Sequence, residues 1–425
     1  MRRALTLALL CALACEAHAA RRVPADFATL QAALDASPSG DTVLVAPGTY
    51  TERVTLRPGV VLRAESGATI DAGHAGPAVI ATALSPAPKV EGFHLVNGAG
   101  ADLGGATLGG VLAVFGGALE ANDCTFDASQ ATYGGTTGAS SAQVTFRRCT
   151  WTGSTASFGG GHFQSGGNLT IDDGVFEGTS AGAGGALYVT GGAHGNVTET
   201  RVHATQSTGD GGGLRLDDCV VTLSEVMIDG ANAGGRGGAL AIAAGGQVIA
   251  SACVLVDCGS ALGGGLFHLS CSPAVVTSSL AAAECAMLSM THCDLMLGRG
   301  AAPAAGAVTD AAAFHMESSL VAGNASGLAC LDPRATLDVR CTDLYQNGGS
   351  DLSGSCVSTA DGNISADPYL CDLAGRNFGL CANSPLLDPG CGSTPWGAGV
   401  LSCGGCAPTP SRSATWGSLK AHYRQ

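Results

Sequence analysis

Double glycines recur at positions 109, 134, 159, 184, 211, 237 and 263, at intervals of 25, 25, 25, 27, 26 and 26 residues. After most of them comes a short alternating stretch, such as VLAVF at 111, ALYVT at 186, GLRLD at 213 and ALAIA at 239. A second apolar stretch follows about ten residues on. A third holds an aromatic or aliphatic residue before a small turn, as in CTFDAS, CTWTGS and GVFEGT. Three short strands per unit, with glycine turns and no 3.6-residue periodicity, exclude a helical solenoid.

Such a unit cannot bury its apolar face alone. Neighbours must stack, and their inward residues then form one continuous core. The spacing therefore predicts a single-stranded parallel β-helix, an all-β solenoid of about 12 coils over residues 41–356, with strands about 4.8 Å apart from coil to coil. Residues one period apart become vertical neighbours, so the repeat can be read as a contact map. Three residues beyond each double glycine stand Leu112, Thr137, His162, Leu187, Leu214, Leu240 and Leu266, a column expected to face the core. The 65 glycines lack the Gly-X-Y period of collagen, and the apolar content argues against disorder.

The ends carry different signals. Arg2 and Arg3, the apolar run at 4–14 and Ala17-His18-Ala19 together read as a signal peptide over 1–19. An N-terminal cap over 20–40 is expected to hold a helix at Phe27–Ala36, N-capped by Asp26, covering the open first coil. Of 18 cysteines, 16 lie beyond residue 19, an even number that suits an oxidising compartment and disulfides. Eight of them fall between Cys330 and Cys406, marking a disulfide-rich C-terminal cap at 357–406. Cys403 and Cys406 favour a disulfide over zinc, because no second CxxC accompanies them. A Pro/Ser-rich tail, 407–425, reads as flexible. A net charge of −14 with only two lysines excludes nucleic acid as an expected partner, and no later segment has the apolar length of a membrane helix.

The opening VPADFATLQAALDASPSGDTVLVAPGTYTERVTL resembles that of pectin-lyase-like right-handed parallel β-helix proteins. The GGAL and GGGL coils and turns such as SLVAGNASG resemble polymorphic outer membrane proteins and related exported β-helix proteins. ISADPYLCDLAGRNFGLCANSPLLDPG resembles their closing segment. The resemblance covers 24–400 and implies a right-handed solenoid at the cell surface or outside the cell. It implies no single activity, since the fold carries lyases, hydrolases, esterases and binding proteins alike. Family motifs can still be tested. Gly48-Thr49-Tyr50-Thr51-Glu52 matches the GxYxE of pectin methylesterases, but their remaining motifs are missing, so the stretch reads as the first coil's turn. The arginine pair of pectate lyases is absent. The NTD and RIK of polygalacturonases are absent too, and the GHF and DD present here stand in reverse order.

His162, with Asp172 and Asp173 ten residues on, has the look of a catalytic cluster. The column logic sends His162 and Gln164 into the core beside Thr137. It stacks Asp172 on Arg147 and Asp173 on Arg148, with Asp123 beneath, as a charge ladder that fixes register. It also places Cys124 directly below Cys149, at a separation a disulfide tolerates. Asp217 and Asp218, near Arg215 and Asp210, have no basic residue stacked on them and offer a possible Ca²⁺ site; no other cofactor or metal is expected. No catalytic, cofactor-binding or metal-binding residue is assigned. The expected function is that of an exported, non-catalytic surface protein acting in adhesion, scaffolding or glycan contact, with a polysaccharide or cell-surface component as partner. The competing expectation is a polysaccharide lyase or glycoside hydrolase on the same fold.

Overall fold

A computed structural model describes residues 20–406 except 272–284, 301–302, 304, 355, 373–376, 389, 392–394 and 399–400. The signal segment and the tail lie outside the described residues. The chain is an all-β parallel solenoid of about 12 coils. Its main sheet has 33 strands, and a second, nine-stranded sheet runs along one flank.

One coil shows why the period is what it is. His162–Asp172 is a long strand bent at Gly166 and Gly167, both with φ near +70°. The chain turns in the left-handed region at Asp173, runs through Val175–Glu177, turns again at Gly178, and adds Ser180–Ala183 to the flank sheet. Gly184, at φ +65°, then starts the next coil. The double glycine has two separate causes. Its first member takes positive φ; its second lies so close to the next coil that a Cβ on Gly160 would stand 2.2 Å from the Gly185 carbonyl oxygen.

The inward column runs Leu112, Thr137, His162, Leu187, Leu214 and Leu240, paired in parallel register. Its next member is Phe267, where Leu266 was expected. The triple glycine at 263–265 causes the slip, because Gly264 takes the left-handed position (φ +66°) that Gly237 holds one coil below. A second inward column stacks rings: Trp151 lies on Phe176 at 4.3 Å, and Phe126 and Phe146 close around it.

The helix forms as expected but starts later, at Leu30–Asp35 with Thr29 as N-cap. Asp26 is spent on the preceding turn, where its carboxylate accepts the Arg22 N–H at 2.9 Å. Glu52 reaches across instead and accepts the N–H groups of Leu30 (3.0 Å) and Gln31 (3.3 Å). Tyr50 donates its hydroxyl to the Ala46 carbonyl at 2.9 Å. The GTYTE stretch therefore ties the helix to the first coils.

The C-terminal segment does not simply close the end of the stack. The described residues between Ile364 and Cys406 form an arm that runs back along the solenoid's flank. Leu370, Phe378, Leu380, Leu386 and Trp396 pack on Val256, Met296, Leu320 and Ala322, the outward residues of successive short strands. Cys341–Cys391 joins arm to solenoid, while Cys371–Cys403 and Cys381–Cys406 hold the arm together. Cys403 and Cys406 thus each pair with another residue of the arm, and their four sulfurs gather within 4.8 Å. Two further disulfides, Cys271–Cys285 and Cys330–Cys356, bring the described total to five. Among the described residues no helix is long and apolar enough to cross a membrane.

Candidate functional site

His162 and the aspartates that follow it do not converge. His162 is fully buried. Trp151 Nε1 donates to Thr137 Oγ1 at 2.9 Å, and Thr137 Oγ1 lies 2.8 Å from His162 Nδ1. His162 Nε2 lies 3.3 Å from Gln164 Oε1, while the Gln164 amide donates to the carbonyls of Ala142 and Gly166. Because the Gln164 nitrogen is used as a donor, its oxygen must accept from His162 Nε2–H. Nδ1 is then free to accept from Thr137. The neutral ring is satisfied on both sides, and burial pulls its pKa down to about 4.

The expected charge ladder is half built. Arg148 grips Asp123 with two hydrogen bonds, 2.7 and 2.8 Å. Among the described residues Asp173 makes no ion pair, and Arg148 is engaged by Asp123. Arg147 faces Glu120 (3.7 Å) and not Asp172, which accepts from the Thr198 hydroxyl at 2.9 Å. Asp123, Arg148 and Asp173 all occupy left-handed turn positions, φ +55°, +52° and +53°, and the Arg148 guanidinium is turned down to Asp123 and not up to Asp173.

Cys124 and Cys149 are stacked free thiols, not a disulfide. Each Sγ points at a carbonyl two residues back on its own strand and at one in the coil below: Asn122 and Val90 for Cys124, Arg147 and Ala121 for Cys149. The two thiols are directed at these carbonyls. A disulfide needs them turned toward each other. Burial pushes the Cys149 thiol up.

A polar and aromatic surface runs along the flank sheet and the edge of the main sheet beside it. Outward positions of the flank strands carry Gln130, Thr155, Ser180 and Gln206 in one register column, with Thr107, Thr132, Ser157 and Thr208 beside them. These side chains line two shallow depressions that meet at Ala156 and Ser157. Next to them stand three half-buried aromatic rings, Tyr133, Phe158 and Tyr188, packed around the buried Phe163. Tyr133 stacks on Phe158 at 5.5 Å and 14°; Phe163 lies 4.9 Å from Tyr133, and Tyr188 lies 5.5 Å from Phe158 and 5.7 Å from Phe163.

The aromatic strip runs into an ionic one. The Tyr188 hydroxyl donates to Asp217 Oδ2 at 2.8 Å, and the Asp217 carboxylate accepts from Arg215 Nε at 2.8 and 2.9 Å. The same guanidinium donates to Asp210 at 2.8 Å, and Asp210 also accepts the Arg236 backbone N–H. Asp210 and Asp217 therefore converge on Arg215, a residue that repeat spacing alone does not bring to them. Asp218 sits apart in a left-handed turn, where its backbone bonds to Gly192 and Ala244. Burial and the Asp217 charge push the Tyr188 phenol up. His268, two coils beyond Arg215 in the same outward column, is buried, and burial together with the Arg236 charge lowers its pKa to about 4.

No sequence motif marks the aromatic strip. Its signal was nonetheless present: Tyr133 and Phe158 each directly precede a double glycine, and Phe163 and Tyr188 are also 25 residues apart. In a chain with 5% aromatic residues, two such pairs at the repeat period mark one patch. Compared with known protein families and with curated proteins, the chain finds no match.

Proposed function

We propose that the protein is an exported β-helix surface protein whose flank contacts glycans without cleaving them. The carrying observation is the aromatic cluster of Tyr133, Phe158, Phe163 and Tyr188, with Tyr133 stacked on Phe158, beside a ladder of hydroxyl and amide side chains. Sugar rings offer apolar C–H faces and hydroxyl rims. Aromatic faces and Ser, Thr and Gln side chains complement those two surfaces. The ladder repeats at the coil rise, so an extended polymer laid along the axis meets the same groups again at each step.

Two features favour contact over cleavage. A hydrolase needs an acid and a base carboxyl free to exchange protons at the bound sugar. On this flank Asp210 and Asp217 are both held by Arg215, while the carboxyl groups raised toward neutrality, Asp294 and Asp343, lie beneath the C-terminal arm. Export rests on the Arg2-Arg3 leader pattern and on five disulfides. The pectin-lyase-like and polymorphic outer membrane protein resemblances fit the same reading.

The test is co-sedimentation of the purified mature protein with a panel of neutral and acidic insoluble polysaccharides, with released sugars measured in parallel. Retention on at least one polymer is expected, with no release. Each of Tyr133→Ala and Phe158→Ala should weaken retention by about five-fold, as expected for loss of roughly 1 kcal/mol of ring stacking. Retention unchanged in the double variant would remove the aromatic patch from the site. Sugar release abolished by Asp217→Asn would replace this reading with that of a polysaccharide-active enzyme.

A further inference from the structure

The C-terminal arm seals two carboxyl groups against the solenoid flank. Asp294 stands on the outward side of its short strand, fully buried, and its Oδ1 accepts the Ala398 N–H at 3.1 Å across 104 residues of sequence. The neighbouring titratable group is the buried Cys293 thiol, and the arm presents Gly397 and Ala398. Asp343, two coils further on in the same column, accepts the Ala366 N–H at 2.9 Å with Oδ1, and its buried Oδ2 has no hydrogen-bond partner. The charged groups facing it are Asp351 and the arm's Asp367, with the Tyr345 phenol nearby. Among the described residues, neither carboxyl group is paired with a cation. Around them the apolar contact of Trp396, Leu386 and Phe378 with Met296 and Leu320 excludes water.

We propose that the arm is a pH-dependent clasp, docking most tightly while Asp294 and Asp343 carry protons and loosening as they are obliged to ionise. The arm stays tethered through Cys341–Cys391, so loosening uncovers the apolar flank at Val256, Met296, Leu320 and Ala322 without releasing the segment. Burial is the leading cause that raises each group, to about 7, and like charge from Asp367 and Asp351 adds to it at Asp343. A solvated aspartate titrates near 4, so the docked arm binds more protons than the released arm between those two values. Docking therefore weakens as pH rises from about 4 to about 7, by up to tenfold per pH unit per carboxyl group, and levels off above.

Hydrogen exchange of the full disulfide-bonded protein, read by peptide mass and corrected for intrinsic rates, measures the arm's opening equilibrium. Peptides covering 364–372 and 395–398 should show opening that increases with pH up to about 7 and then stays level. Asp294→Asn with Asp343→Asn keeps both amide acceptors and cannot ionise, so the rise should vanish. Peptides around Trp151 serve as the folding control in every variant. Each single Asn variant should lose part of the slope. A wild-type arm with no pH dependence, or an unchanged rise in the correctly folded double variant, would overturn the proposal. Should the double variant fail the folding control, single variants with undiminished slopes would overturn it equally.

Discussion

Replacing His162 with leucine tests whether the core column, and not chemistry, explains this residue. Leucine already fills the positions directly above, at Leu187, and two coils below, at Leu112. At pH 7 the His162→Leu variant gains apolar burial but leaves Gln164 Oε1 without its donor, a cost of about 1–3 kcal/mol. Thr137 loses less, since its hydroxyl can turn to the Gly161 carbonyl at 3.4 Å and still accept from Trp151. The net effect at pH 7 is a loss of about 1–2 kcal/mol.

In acid the order reverses. His162 titrates at about 4 in the folded protein, against 6.5 unfolded. The unfolded chain therefore binds more protons between those values. Stability from this group is complete above about pH 6.5 and falls as pH drops through the window, by about 3 kcal/mol at pH 4. The leucine variant has no such term and should be the more stable protein at pH 4, by about 1–2 kcal/mol. His268, Asp294 and Asp343 titrate in both proteins and cancel in the comparison. Denaturant midpoints followed by far-UV circular dichroism at the two pH values provide the measurement. Parallel pH dependence in wild type and variant would refute the buried neutral histidine.

Two more outcomes follow from the packing. Gly160→Ala should destabilise the solenoid by roughly 3 kcal/mol, since its Cβ would press on the Gly185 and Ser180 carbonyls, whereas Gly178→Ala should cost only about 1 kcal/mol, because its left-handed turn has nothing within 4 Å and the equivalent turns already carry Ala128 and Ala204; thermal melts of the pair decide it. Alkylation before and after denaturation should modify Cys124, Cys149, Cys219, Cys253, Cys258 and Cys293 only in the unfolded protein, and peptide mapping that finds Cys124 joined to Cys149 would restore the vertical disulfide.

Vertical neighbours were legible wherever a glycine pair marks the rung. Thr137, His162 and Leu187 align as their spacing requires, because a parallel ladder pairs residues one period apart. The reading slipped by one at 263–265, where three glycines leave the rung ambiguous and only the left-handed turn at Gly264 decides it. Side-chain direction was less legible than register. Cys124 and Cys149 share a column without bridging, and Asp173 shares one with Arg148 without pairing, because register fixes Cα positions and not rotamers. At the flank, the Tyr133–Phe158 stack was visible as aromatic residues at the repeat period. The nearness of Arg215 to Asp210 and Asp217 was also visible, but not the grip of its guanidinium on both carboxylates, which has no period to reveal it.

The sequence by itself determined the solenoid, its period, its core column and the inward direction of His162, since all of these follow from local strand geometry repeated at a constant interval. Tertiary structure alone decided where the C-terminal segment goes. The contact between Ala398 and Asp294 spans 104 residues and obeys no repeat. The outward apolar residues Val256, Met296 and Leu320 need a cover, but nothing in their spacing says which part of the chain supplies it. That pairing was settled by shape, by the Cys341–Cys391 tether and by water exclusion, which act only once the coils have stacked.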